Sequence, residues 1–423
     1  MRSFLINFYA LFFLWSGPLR AQQIPVDDEI IIGRLKNHIS YLASDKLQGR
    51  LVGSKGEKKA YSYIIKQYKK YGAAPKGTTG YLQPFSIRRN FKNPHGSSSD
   101  TTGLLIHGHN AVAYIDNDAD KTVIIGAHYD HLGYNEYGGS TYKAENAKEK
   151  PMIHNGADDN ASGTAALIEL CYLLKQSNFK GNNYLFIAFS GEEEGLLGSN
   201  YFTKNPTISK TAFNYMINMD MLGRLDTAKQ SFAISGTGTS PVWSKVMESI
   251  QVDSLKIKYT ESGTGSSDHT SFYYINVPAL HYFTGTHYDY HKPSDDEGKI
   301  NYKGELSVIK HIYNLIGKLD KEPKLVFTPT KEDSTARVSF KVTLGIMPDY
   351  LFEGRGVKVD GVTQGKPASN AGIKRGDVLI KLGDIELKDM QTYMKALGKF
   401  SKGETAILFF MREGKEEQVN ITF

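Results

Sequence analysis

The chain has a single cysteine, Cys171, in 423 residues. That excludes an internal disulfide framework and a thiolate-rich metal centre. An exported protein of this sequence must therefore rest on its core, or on metals held by other ligands. Cys171 sits in an apolar helical run over 167–174 and reads as a small buried hydrophobe. Long basic blocks are also missing. The 51 basic and 45 acidic residues leave a formal charge of +6, too small a bias to argue for a nucleic-acid partner. Beyond the N-terminus no run is long and apolar enough to span a membrane, so no integral span is expected. There is no internal repeat or low-complexity tract. What remains is ordinary globular composition, 40% hydrophobic and 23% charged, with length for one large domain and one small one.

The first residues read as a secretory signal over 1–21. Arg2 supplies the positive start, residues 4–15 are mostly apolar, Ser16-Gly17-Pro18 breaks the run, and Leu19-Arg20-Ala21 offers a cleavage site. The expectation is export to the periplasm or beyond the cell, with an uncleaved anchor as the alternative. Helical spacing follows over 28–46 and again up to Gly72. Residues 89–103 are polar and Gly/Ser-rich and read as a loop. From about 104, strands (112–115, 123–126, 184–189, 215–219, 279–283) alternate with helices (161–176, 196–203, 242–250, 306–319). Such alternation predicts an α/β sandwich with a mixed or largely parallel central sheet, over 22–325. A charged, proline-bearing stretch at 326–337 reads as a linker. Residues 338–423 read as a β-rich domain, with strands at 338–344, 357–359, 378–382, 406–410 and 418–421 and a helix at 390–397.

Candidate ligands recur at or near strand ends, where α/β sheets place their sites. His128-Tyr129-Asp130 follows one apolar strand, and residues two apart in a strand share a face. His128 could thus bind a metal while Asp130 takes the hydrogen bond from its other ring nitrogen. Gly156-Ala157-Asp158-Asp159 sets two acids in a glycine-bounded turn before an apolar helix, and either acid could ligate there. Glu192-Glu193-Glu194 lies between glycines after another strand. One glutamate of such a turn can ligate while its neighbour takes a proton from water. Asp220 ends a further strand, and His287, Asp289 and His291 follow the last. Each has a structural explanation of its own: a helix N-cap for an Asp, a helix N-terminus for the glutamates, a solvent-exposed loop for the histidines. Together, nitrogen and carboxylate ligands without thiolates suit catalytic zinc, and one bridging acid suits two ions.

These runs resemble the secreted co-catalytic zinc aminopeptidases, relatives of glutamate carboxypeptidase and the transferrin receptor. The resemblance rests on Gly126-Ala127-His128-Tyr129-Asp130-His131, Asn155-Gly156-Ala157-Asp158-Asp159-Asn160-Ala161-Ser162-Gly163, Ser190-Gly191-Glu192-Glu193-Glu194-Gly195, Asn218-Met219-Asp220-Met221-Leu222-Gly223 and Tyr290-His291-Lys292-Pro293-Ser294-Asp295. It covers about 28–320. It implies two Zn2+ ions. His128 and Asp220 would hold one and Glu193 and His291 the other, with Asp158 bridging them and Asp159 a structural partner of the turn. His291 is preferred to His287 because it stands four residues before an Asp. Glu192 would be the general base, Asp130 would orient His128, and substrates would be peptides with a free N-terminus. Ser267-Asp268-His269 also matches a family run, with no role attached. Glutaminyl cyclases, which use one zinc, and non-catalytic binding proteins share the fold and are the alternatives.

Residues 338–423 resemble a PDZ domain. Leu344-Gly345-Ile346-Met347 is similar to its carboxylate-binding loop, and Asn370-Ala371-Gly372-Ile373-Lys374-Arg375-Gly376-Asp377 to the turn before a core strand. The resemblance implies capture of a peptide or protein C-terminus by strand addition, or a docking role.

Overall fold

Residues Thr122–His128 form a strand with every residue buried, and so do Asn183–Phe189 and Phe213–Met219. Unbroken burial rather than alternation marks parallel strands covered on both faces. The computed structural model describes residues 26–89, 103–142, 150–330 and 342–423, apart from positions 251, 253, 254, 350, 351, 353, 364 and 389. The signal reading of 1–21, most of the 89–103 loop and most of the 326–337 linker lie outside the described residues.

In chain order the large domain runs α1 (Asp28–Leu42), α2 (Lys55–Lys70), β1 (Ala74–Pro75), β2 (Leu82–Arg89), β3 (Leu104–Ile115), β4 (Thr122–His128), α3 (Gly163–Gln176), β5 (Asn183–Phe189) and α4 (Leu197–Lys204). It continues with β6 (Phe213–Met219), β7 (Ser231–Ser235), α5 (Val242–Glu248), β8 (Lys256–Thr260), α6 (His269–Tyr273), β9 (Ala279–Phe283) and α7 (Tyr302–Lys318). The sheet order is β1-β3-β5-β4-β6-β9-β7-β8, with β2 also on β3. The central β5-β4-β6-β9 set is parallel, while β3 and β7 join its two sides antiparallel. The mixed α/β sandwich expected from the alternation is therefore what forms.

Successive side chains of the central strands feed two cores, as period-two geometry requires. Val123 and Ile125 pack with residues of α1, α2, α3 and α7. Ile124 packs on the other face with Phe202 of α4 and Phe272 of α6. Because β5, β4, β6 and β9 run the same way, their carboxyl ends open on one rim. That rim receives His128, the Glu192–Glu193 turn, Asp220 and the loop after Phe283.

The small domain is an antiparallel sheet of β10 (Ile346–Pro348), β11 (Val357–Val362), β12 (Val378–Leu382), β13 (Ile385–Glu386), β14 (Thr405–Arg412) and β15 (Lys415–Thr422). With it come α8 (Pro367–Asn370) and α9 (Met390–Leu397), around a separate core that includes Leu344, Val359, Leu379 and Leu408. The strand predicted at 338–344 falls partly outside the described residues. Its described end, 342–344, is not strand, and pairing begins at Ile346. Among the described residues, two hydrogen bonds between the domains stand out. Thr286 Oγ1 donates to Pro348 O at 3.0 Å, and Lys258 Nζ donates to Phe352 O. Among the described residues no helix is long and apolar enough to cross a membrane.

Leu170 on α3 is fully buried in the larger core. Leu170→Ala should destabilise the large domain by about 2–5 kcal/mol, the cost of lost transfer energy plus an unfilled cavity, read by urea unfolding.

Candidate metal centre

Two ligand groups meet at one residue, and that residue is Asp159. Nε2 of His128, at the end of β4, stands 3.3 Å from Oδ1 of Asp220 and 3.4 Å from Oδ1 of Asp159. Nε2 of His291 stands 3.1 Å from Oδ2 of Asp159 and 3.1 Å from Oε2 of Glu193. His128, Asp159 and Asp220 each offer an atom within 4.8 Å of the others, and His131, Asp159 and Glu193 do the same. One carboxylate thus presents one oxygen to each group.

Asp158 was expected in that place, and the structure corrects it. Its Oδ1 accepts from Gly223 N at 2.6 Å and Ser162 Oγ at 2.9 Å, and its Oδ2 stands 3.1 Å from Nε2 of His287. The reason is local. Gly156 turns the chain through φ +56, where a Cβ would lie 2.1 Å from Asp159 O. Asp159 itself is extended, at φ −105 and ψ 94, and neighbours in extended chain project to opposite sides. Asp295 fixes the turn: its Oδ2 accepts from both Asp158 N (3.0 Å) and Asp159 N (3.1 Å). Asn160 ties the turn to the Asp220 segment, donating to Met219 O at 2.9 Å and accepting from Met221 N at 3.1 Å. His287 is thereby a partner of Asp158, while His291 stands against Asp159 and Glu193.

His291 is poised as a ligand. Its Nδ1 donates to Gly139 O at 2.9 Å, which turns Nε2 toward the two carboxylates, where a metal ion would take the place of its proton. Asp130 departs from expectation. Its Oδ1 lies 3.7 Å from His128 Nδ1, beyond a hydrogen bond, and instead accepts from Glu192 N at 3.2 Å. It therefore steadies the glutamate turn while lying alongside His128. Glu192 reaches His128 Nε2 at 3.9 Å.

Burial alone would raise the pKa of every carboxyl here, and neighbours decide which way each goes. For Asp159 the contacts from His128 and His291 outweigh burial and hold its pKa well below the usual carboxylate range. For Glu193 the charge of His291, with hydrogen bonds from His131 and His291, outweighs burial and brings it to about 2. Burial prevails at Glu192, where Asp220 adds repulsion, and its pKa rises well above normal. Two adjacent glutamates are thus driven apart, one fixed as an anion and one able to take a proton.

Sequence reasoning missed two residues. His131 is fully buried, with Nδ1 2.7 Å from Glu193 Oε1. It stands in the same short run as His128, and a second imidazole there was the available signal. Arg50 had no signal beyond its place in a glycine-marked loop. It is fully buried and bonds backbone carbonyls: Tyr129 (2.7 Å), Leu42 and Asn155 (2.6 Å each) and Gly156 (3.0 Å). Burial lowers its pKa to about 10, against the pull of Asp130, Asp159, Asp295 and Glu193. One cation thus clamps the segment after β4 to the turn of Asp159. Ser267, of the run without a role, accepts from Asn218 Nδ2 at 2.8 Å, supporting the strand that ends before Asp220.

With this geometry in view, the profile of peptidase family M28 matches residues 110–316, and that of the PDZ domain matches 327–423. Residues 110–316, just under half of the chain, thus carry the domain of peptidase family M28. A probable leucine aminopeptidase of Arthroderma otae is 27% identical over 230 residues, covering 51% of this chain and 58% of that protein. Aminopeptidase YwaD of Bacillus subtilis is 30% identical over 190 residues, 40% of each chain. The chain thus spans about half the length of these curated relatives, 58% of one and 40% of the other. Among solved structures, an aminopeptidase of Aneurinibacillus sp. strain AM-1 aligns at TM-score 0.54 and 18% identity, covering 72% of this chain and 98% of that one. Porphyromonas gingivalis glutaminyl cyclase aligns at 0.52 and 16%, covering 69% and 98%. At such identities the structural likenesses show the fold alone. A domain of this family of metallopeptidases agrees with the nitrogen and carboxylate donor set.

Arg50→Met keeps the length of the side chain and removes its charge and donors. We expect zinc affinity at least about tenfold weaker, in the range for loss of an outer-shell support, with a lowered melting temperature of the metal-free protein. Competition titration against a chromogenic chelator checks the first and calorimetry the second.

Proposed function

We propose that this chain is an aminopeptidase using two zinc ions, and that it removes N-terminal residues from peptides. The observation that carries the reading is Asp159, with one oxygen toward His128 and Asp220 and the other toward His291 and Glu193. Bound zinc would lower the pKa of water and polarise the scissile carbonyl. The remaining work falls to the chain. His128 and Asp220 would hold one ion and His291 and Glu193 the other, with Asp159 shared between them, while His131 orients Glu193 through its 2.7 Å contact. Glu192 takes the proton of the attacking water and returns it to the leaving amine, and its raised pKa suits that exchange. Asp130 keeps Glu192 in place through its backbone N–H. The apolar N-terminal segment supports an exported protein.

Glu192→Gln should retain zinc and lose about 10²–10⁴-fold in turnover of an aminoacyl anilide. Near-normal turnover would remove Glu192 as base. Asp159→Asn should lose zinc from both sites by metal analysis, whereas Asp158→Asn should retain both ions with affinity reduced by about 10–100-fold. An N-terminal glutaminyl peptide separates the alternative chemistry: cyclised product without hydrolysis would replace this reading by a glutaminyl cyclase.

A further inference from the structure

We propose that the exposed face of α2 is a docking surface for a lipid bilayer that bears anionic phospholipid headgroups.

The charge of this chain is unevenly spread. Residues 45–89 hold 11 basic and two acidic residues, a net +9, against +6 for the whole chain, so the remainder is −3. Asymmetry of this kind marks a region that meets an anionic partner. The structure gathers most of it on one helix. The exposed positions of α2 are Lys55, Lys58, Lys59, Ser62, Lys66, Lys69 and Lys70. By helix geometry these positions fall within about 120° of the circumference and run about 22 Å along the axis. The acid of this helix, Glu57, is turned inward. Its carboxylate accepts from Gly53 N at 2.9 Å, Ser190 Oγ at 2.6 Å and the Tyr129 hydroxyl at 3.2 Å. Lys46, also exposed, lies alongside, its carbonyl accepting from Lys59 Nζ at 2.6 Å.

Helix stability does not account for this pattern. Lys55 and Lys58 stand at the amino end, where the helix dipole disfavours cations. Lys55 and Lys59, and Lys66 and Lys70, are like charges four apart, a spacing at which they repel. A face shaped for solubility alone would intersperse both signs. Among the described residues none of the six lysines forms an ion pair; the lysines that do are Lys299, Lys310 and Lys358. Lys69 and Lys70 lie over the rings of Tyr81 and Tyr71, at 5.5 and 5.4 Å. Six ammonium groups are thus held on one face without a counter-charge.

The form of the face selects the partner. Ala60, Ile64 and Tyr68, on the other side of α2, are buried in the larger core. The helix therefore cannot turn an apolar side into acyl chains, and no large apolar side chain is exposed along it. What it offers is a straight row of point charges on flexible stems, suited to a plane of headgroups. Arginine, whose planar fork suits the phosphates and base edges of nucleic acids, is absent from α2. Lysines placed in this way are drawn to an anionic leaflet and released by salt. Through Glu57 the helix is tied to Ser190 and Tyr129, beside the glutamate turn and His128. Docking through α2 would thus hold the metal-centre rim beside the lipid surface.

The test is co-sedimentation of the full chain with vesicles of phosphatidylcholine, alone or with about one third phosphatidylglycerol. We expect binding to the anionic vesicles at least about tenfold tighter than to the neutral ones. It should vanish at about 1 M salt, where screening reaches only about 3 Å. Lys58→Gln, Lys66→Gln and Lys69→Gln together should weaken it about 100-fold, at about fivefold per lysine. Removing the same charge from the small domain, with Lys388→Gln, Lys399→Gln and Lys402→Gln, should leave it unchanged. Melting temperature checks the fold of both variants. If the α2 variant unfolds, Lys66→Gln alone, about fivefold weaker, decides. Equal binding to neutral and anionic vesicles, or no binding to either at low salt, would overturn the inference. Equal losses in the two triple variants would overturn it too, since net charge would then suffice. Tighter binding to mixed-sequence duplex DNA than to the anionic vesicles, in the same buffer, would replace the lipid partner by a nucleic acid.

Discussion

Carboxylates gathered in a buried rim repel one another, and removing one charge from water without a partner costs several kcal/mol. Asp159, Asp220, Glu192 and Glu193 share such a rim, so positive charge must stand among them. In the chain itself His128 and His291 answer that need. Burial works against their charged forms, and the neighbouring acids overcome it, raising both pKa values well above normal. Metal ions would compete with those protons for the same nitrogen and oxygen atoms, which couples occupancy to pH. Arg50 adds a cation that cannot be displaced, and its carbonyl bonds hold two of the contributing segments in register.

The sheet brings these groups together by direction. Parallel pairing of β5, β4, β6 and β9 sends four carboxyl ends to one rim, so residues far apart in sequence converge without a long irregular loop. The loop after β9 closes the rim and is tied to the Asp158–Asp159 turn through Asp295 on the backbone of both and through His287 on Asp158. It also meets the small domain at Thr286, so the segment carrying His291 is shared between the metal centre and the PDZ edge.

The central strands were legible because full burial writes a continuous apolar run, as over Thr122–His128. The flanking strands were not. Lys256–Thr260 lies at an edge with two of its five residues partly buried and the rest exposed, and Ile346–Pro348 is three residues ending in proline. The first alternates over only Ile257 and Tyr259, and the second is too short to show a period. At the site, His128, Glu192, Glu193, Asp220 and His291 could be placed because each stands in a distinctive run after a strand. Asp158 and Asp159 could not be told apart from spacing. They have the same chemistry, and only the backbone angles after Gly156 decide which faces the histidines. Arg50 escaped notice for a related reason, since its partners are backbone carbonyls and carbonyls leave no trace in a sequence.

The central claim is that Asp159 joins two metal positions. Crystals grown with zinc and measured across its absorption edge test it most directly. The account predicts two anomalous peaks about 3.5–4 Å apart. One should lie between His128 and Asp220 and the other between His291 and Glu193, each bound by one oxygen of Asp159. A single peak, or a peak ligated by Asp158 in place of Asp159, would contradict it.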